Sequence, residues 1–239
     1  VVQYEDPRLL FWDDFLEMGR AHRRQHPDAV SDRMAEAQDD DVMTLVYTSG
    51  TTGPPKGAML TNANAKFSMD VITESGDRLG GSPAGPDDMI LTYLPLCHVA
   101  ERIFSTWTMA VCGTVLNFAE SIETVQENLR EVQPTLFFAV PRIWERLHAG
   151  IMIRSLDATW FKRLWLKFGM ALATKIGEER IKNGGVHTPL SRVLYSVGYP
   201  LVFRAMRERV GLRHCRWAGT GAAPIAPEVI QFFHGIGVD

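Results

Sequence analysis

Cysteine is scarce in this sequence and offers no obvious pairs: Cys97, Cys112 and Cys215 are odd in number and widely spaced. Such a set builds neither a disulfide framework nor a C-x-x-C metal knuckle, and it fits a reducing, cytoplasmic setting. Basic charge is not in excess either, with 25 Lys and Arg against 28 Asp and Glu and a net charge of -3. A dedicated nucleic-acid binder needs a cationic face against the phosphate backbone, so nucleic acid is not an expected partner. A long apolar run is also missing. The longest uncharged stretch, 103–119, is short for a membrane span and holds Gly113, Thr114 and Asn117, so a buried helix followed by a buried strand is expected there. The amino terminus lacks the charged, apolar and small-residue order of a signal peptide, and Val1 stands where an initiator Met would be, which reads as an internal fragment.

Core-forming material is present in ordinary proportion: 46% of the 239 residues are hydrophobic and 22% charged. Residues 1–41 read as an acidic, partly helical lead-in that ends in Asp39, Asp40 and Asp41, and from 42 onward short apolar runs alternate with helical patterns. Strands are expected at 42–47, 89–93, 113–118, 135–140 and 214–218. Helices are expected at 62–74, within 98–111, at 121–132 behind a Ser121 cap, and at 224–234 with Pro224 and Pro227 near the start. A long, mostly helical insertion fills about 141–209, broken near Asn183-Gly184-Gly185 and Pro189. Apolar strands separated by helices predict an α/β fold, with a parallel β-sheet covered by helices on both faces and joined by right-handed crossovers.

The stretch YTSGTTGPPKG at 47–57 follows the first expected strand. Open α/β sheets bind ligands where loops leave the carboxyl ends of strands, and glycines there let backbone N–H groups approach an anion. Thr48, Ser49, Thr51 and Thr52 add hydroxyl donors, Gly50, Gly53 and Gly57 add room, Lys56 adds a cation, and Pro54 and Pro55 restrict the loop. Phosphate is the natural guest. Lys56 is followed by Gly57 rather than Ser or Thr, which disfavours a Walker A loop. On composition alone a bare surface loop is the plainer reading. A second turn, GTGAAP at 219–224, leaves space at Gly219, Gly221, Ala222 and Ala223 for a flat ring or an acyl thioester, or simply turns strand into helix with Pro224 at the first helical position.

Four stretches resemble, in order, the motifs of the adenylate-forming (AMP-binding) superfamily: YTSGTTGPPKG, LPLCHVAER at 94–102, PTLFFAVPRIWERL at 134–147 and GTGAAPIAPEV at 219–229. The third is similar to the long-chain acyl-CoA synthetase branch in particular. The resemblance implies that 42–239 is the central part of an acyl-CoA synthetase-like large domain, incomplete, with the small carboxyl-terminal domain absent. It implies an enzyme that joins a long-chain fatty acid to the α-phosphate of ATP, expels pyrophosphate, and lets the thiol of coenzyme A displace AMP. ATP, Mg2+ and coenzyme A are the implied cofactors and co-substrates.

By the same resemblance Thr48, Ser49, Gly50, Thr51, Thr52, Gly53 and Lys56 hold the β- and γ-phosphates, and His98 lies near the carboxylate and α-phosphate. Gly221, Ala222, Ala223 and Pro224 line the adenine pocket, Gly219 and Gly221 border the acyl group, and Trp144 gates a fatty-acid tunnel. Without the resemblance, His98 and Trp144 read as packed core residues, and Glu101 with Arg102 as a solvated pair. No metal ligand is expected within the chain, because the family's metal-holding glutamate belongs to an aromatic-Gly-x-Thr-Glu run that falls beyond Asp239. Two other identities stay open: a noncatalytic remnant that binds nucleotide or acyl groups, and a medium-chain or aryl acid ligase. The segment 160–176, WFKRLWLKFGMALATKI, mixes aromatics with Lys162, Arg163, Lys167 and Lys175, so it either lies against an anionic membrane or buries its apolar face in the core.

Overall fold

The computed structural model describes residues 9–48, 54–78, 83–156 and 160–238. Helices α1 (Trp12–Gln25) and α2 (Ala29–Glu36) precede a hairpin of strands β1 (Val42–Thr48) and β2 (Lys56–Thr61), followed by α3 (Asn62–Arg78). Strand β3 (Met89–Thr92) leads through α4 (Val99–Glu101), a π-helical stretch Arg102–Trp107 and α5 (Thr108–Cys112) to β4 (Val115–Phe118), and α6 (Val125–Val132) leads on to β5 (Leu136–Ala139). Then come α7 (Pro141–Leu156), α8 (Trp160–Lys182), α9 (Pro189–Gly198) with a π-helical continuation Tyr199–Phe203, and α10 (Arg204–Val210), before β6 (Trp217–Thr220) and α11 (Pro227–Gly235).

Strands β3 to β6 form one sheet in the order β4-β3-β5-β6, parallel throughout. The helical segment 141–210 is thus the crossover between β5 and β6, which parallel neighbours require. Alternation along β5 assigns the faces. Phe137 and Ala139 enter the main core with Leu91, Ile151, Ile176, Phe203, Phe232 and Ile236, while Phe138 on the other face stacks on Phe104 of the first π-helical stretch, ring centroids 4.0 Å apart. Helices therefore cover both faces. A smaller cluster of Ala65, Met69 and Trp107 packs α3 against that stretch.

Two details show how tightly the layers are drawn together. A Cβ on Gly177 of α8 would sit 1.7 Å from the Gln231 carbonyl oxygen, and one on Gly235 of α11 would sit 1.8 Å from that of Ala173. The two helices cross backbone to backbone, an approach that any larger residue would block. At the amino ends of the strands, Asp88 accepts hydrogen bonds from the Thr135 hydroxyl (2.7 Å), the Arg216 Nε (2.8 Å) and the Gly85 N–H (2.9 Å), joining the starts of β3, β5 and β6. Burial opposes charge on Asp88, but the bonds from Arg216, Thr135 and Gly85, with the charge of Arg216, outweigh it and hold the carboxyl below its ordinary range.

Three expectations are corrected. Strand β1 does not join the parallel sheet; it pairs antiparallel with β2, with Thr48 opposite Lys56. The connection between them suits a hairpin and is too short for the crossover that a parallel neighbour demands. Strand β4 is one of the two edge strands of this sheet and is not buried: Val115 is 49% and Phe118 64% exposed. The last helix begins at Pro227, whose fixed φ suits the first helical position, while Pro224 stays in the turn. Among the described residues no helix is long and apolar enough to cross a membrane.

Candidate functional site

Three of the four singled-out segments leave carboxyl ends of neighbouring parallel strands: 93–102 after β3, 140–147 after β5 and 221–224 after β6. Parallel pairing puts these exits on one edge of the sheet, the edge at which open α/β sheets take ligands. Cross-links hold them in place. The Val140 N–H donates to the Tyr93 hydroxyl (3.3 Å), and the Trp144 indole N–H is shared between the carbonyls of Ala139 (3.2 Å) and Gly219 (3.3 Å). Burial pushes the Tyr93 phenol up, with the charge of Glu101 adding to the effect and the Val140 bond opposing it. The phenol therefore serves as a neutral strut.

His98 is exposed at the start of α4, where its Nδ1 accepts the Ala100 N–H at 3.1 Å. With Nδ1 an acceptor, the neutral ring carries its proton on Nε2 and presents a donor there. Glu101 differs from the solvated residue of a surface pair: it is buried, and its Oε2 accepts the Leu94 N–H at 2.9 Å, fixing the loop in front of His98. The backbone here runs in π-helical turns from Arg102, an irregularity that recurs at functional sites.

The second glycine turn is shaped by aromatics. Phe138 lies opposite Gly219 in the ladder, and a Cβ on Gly219 would come within 2.6 Å of the Trp217 ring and 3.0 Å of the Phe138 ring. On Gly221 it would come within 3.2 Å of Phe138. Phe104 stacks nearly flat on Phe138, 9° between planes, and lies 6.0 Å from Trp217. Ala222 takes a left-handed φ of 71°, unusual for a residue with a side chain. Ala222, Ala223 and Pro224 are exposed beyond it. A turn with bare backbone in front and a half-buried aromatic stack behind suits a flat or apolar ligand.

Period-two alternation puts Trp217 and Gly219 on one face of β6, so Trp217 could have been found from sequence. Phe104 could not, because only the tertiary fold stacks it on Phe138; nor could the burial of Glu101 and the bond from Val140 to Tyr93.

The other predicted residues are less gathered. Thr48 and Lys56 form the last pair of the hairpin, with Lys56 exposed. Ser49, Gly50, Thr51, Thr52 and Gly53 lie outside the described residues. Lys56 and His98 stand on separate elements, the hairpin and the segment after β3. Trp144 is buried between Phe137 and Phe233, edge-on to both. Among the described residues no three of His, Cys, Asp and Glu converge to hold a metal.

A family model described as AMP-binding enzyme matches residues 5–239. The chain is 31% identical over 242 residues to a human protein named long-chain-fatty-acid–CoA ligase ACSBG2, a match covering 98% of this chain and 34% of that protein. It is 37% identical over 205 residues to fadD11 of Mycobacterium tuberculosis, provisionally named a fatty-acid–CoA ligase, covering 84% of this chain and 34% of that one. A solved adenylation domain of a carboxylic acid reductase from Segniliparus rugosus, in complex with AMP and a co-purified carboxylic acid, is 22% identical with a TM-score of 0.46 over 92% of this chain and 32% of its own. The chain spans about a third of the length of the curated relatives it matches.

Proposed function

Because the chain belongs to the AMP-binding enzyme family, we propose that it takes part in activating a fatty acid. The carboxylate attacks the α-phosphate of ATP, pyrophosphate leaves, and the thiol of coenzyme A then displaces AMP from the acyl-adenylate to give the thioester. The observation that carries this reading is the junction at Gly219, where the turn after β6 is tied to Trp144 and backed by Phe104, Phe138 and Trp217 on the ligand edge of the sheet. The names of the two curated relatives supply the fatty acid. A long-chain substrate is the finer proposal, resting on VPRIWERL and on the ACSBG2 relative.

Each residue has a distinct task. Charge on phosphate is the main obstacle, and preorganised donors are usually the largest catalytic contribution. Lys56 and the hydroxyls and N–H groups of 48–53 balance the departing pyrophosphate. The His98 Nε2–H donates to an oxygen of the carboxylate or α-phosphate, and the bare backbone of Gly221 to Pro224 receives adenine. Magnesium, when bound with ATP, would neutralise phosphate charge.

Lys56→Ala in the full-length protein should slow single-turnover formation of acyl-AMP by about a hundredfold, the size seen when one such donor is lost. Transfer from preformed acyl-AMP to coenzyme A should change little. Equal rates of acyl-AMP formation in the two proteins would remove Lys56 from this role.

A further inference from the structure

Residues 95–99 are exposed between strand β3 and the π-helical stretch, and His98 stands among them. Packing does not hold an imidazole in place on such a segment, so its direction depends on hydrogen bonds. Three of these are local: the His98 N–H donates to the Pro95 carbonyl (2.8 Å), the Arg102 N–H to the His98 carbonyl (3.2 Å), and the Ala100 N–H to the His98 Nδ1 (3.1 Å). One spans the whole segment. The Leu94 N–H donates to the Glu101 Oε2 at 2.9 Å and ties the chain leaving β3 to the helical turn that His98 caps.

Burial makes a carboxylate an unfavourable choice for a loop brace alone. Glu101 is 5% exposed, and among the described residues no cation pairs with it, whereas an amide would offer the same N–H an oxygen with less desolvation. The residue is also held from behind. The fully buried Ser105 hydroxyl donates to the Glu101 carbonyl oxygen where the π-helical turns begin, and the Glu101 charge helps push up the Tyr93 phenol, which accepts the Val140 N–H at the exit of β5. A side chain fixed at its backbone and at its carboxylate is a rigid support for what it carries. We propose that Glu101 is a positioning residue, which closes the 94–101 loop through the Leu94 N–H and so sets the direction of the His98 Nε2–H. The inference rests on the reading of His98 as a donor to the fatty-acid carboxylate or the α-phosphate.

The test is single-turnover formation of acyl-AMP by the full-length protein from palmitate and ATP. Glu101→Met fills the same space without an oxygen and should slow this step about ten- to a hundredfold, the size expected when a reacting group is misplaced by about 1 Å. The ATP concentration that gives the half-maximal rate should move less than about threefold, as for a loss felt in the transition state rather than in binding. Glu101→Gln, which keeps an oxygen for the Leu94 N–H, should recover most of the rate. In a His98→Ala protein Glu101→Met should slow the step by less than about twofold more, because the support then has nothing to position. If Glu101→Met does not melt cooperatively, Glu101→Asp, one methylene shorter with its charge kept, is measured under the same criteria. Four results would each overturn the positioning role and leave the ligase reading standing: equal rates in the parent and Glu101→Met, a Gln variant as slow as the Met variant, a His98→Ala protein as fast as the parent, or losses that multiply in the double variant. A parent that forms no acyl-AMP would overturn the ligase reading and this inference with it.

Discussion

Trp144→Ala should weaken the fold far more than any surface change, and its surroundings set the amount. The residue is 4% exposed, its ring meets Phe137 at 5.3 Å and Phe233 at 4.8 Å, and its N–H reaches two carbonyls. Deleting a buried tryptophan side chain costs about 3–5 kcal/mol, and a value near 4 is expected because strand β5 and helix α11 hold the two phenylalanines apart and limit collapse. Trp144→Phe keeps the ring contacts but leaves the Ala139 and Gly219 carbonyls short of a donor, a loss of about 1–2 kcal/mol. In a domain of this size about 1 kcal/mol moves Tm by roughly 2–4 °C, so the Ala variant should melt about 8–16 °C lower and the Phe variant about 2–8 °C lower. Thermal and guanidinium unfolding of the chain, followed by circular dichroism, measures both. If Trp144→Ala stays within about 1 kcal/mol of the parent, well below any core-deletion cost, the indole is not resident in this pocket. A swinging gate would then be the better account, and the acyl-chain profile of the full-length enzyme should change with it.

Gly177→Ala and Gly235→Ala place a methyl group against backbone at 1.7 Å and 1.8 Å, so each should cost about 3 kcal/mol or more in denaturant titrations. Gly150→Ala, in open space on α7, should instead stabilise by about 0.5–1 kcal/mol; equal effects at the three sites would refute the close crossing. For Asp88 the folded carboxyl lies below its ordinary value near 3.8, so the unfolded chain binds its proton first on acidification. Its contribution is complete above that value and disappears as pH falls through the lower folded one. Asp88→Asn should cost about 1.5–3 kcal/mol at neutral pH by removing the carboxylate to which Arg216 and Thr135 donate, and should flatten this part of the acid-unfolding curve. An unchanged acid slope would show that other carboxylates set it.

Much of the fold was legible because strands and helices carry local signals. The apolar runs MILT, VLNF and LFFA, each set off by turn residues or a helix, became β3, β4 and β5. Helix α6 ends where expected, at Gln133 and Pro134, but it begins at Val125 with Thr124 at its N-cap and not at Ser121, which bonds reciprocally with Thr124 in the turn ahead of it. The hairpin was misjudged because LVYT followed by a glycine-rich loop reads alike whether the chain returns as a strand or as a helix; register with β1 is a pairing decision that KGAMLT does not announce. Edge and centre were also hidden, since VLNF and LFFA are equally apolar and differ only in neighbours.

The amino-acid sequence by itself determined the parallel α/β architecture, the turn after β6 and the family, because periodicity, turn chemistry and motif order are properties of adjacent residues. Tertiary structure alone decided that Trp144 bonds to the Gly219 turn, that Phe104, Phe138 and Trp217 stack behind it, and that Glu101 is buried. Those outcomes depend on which surfaces of distant segments meet, and contact across tens of residues is set by packing and burial that no local pattern encodes.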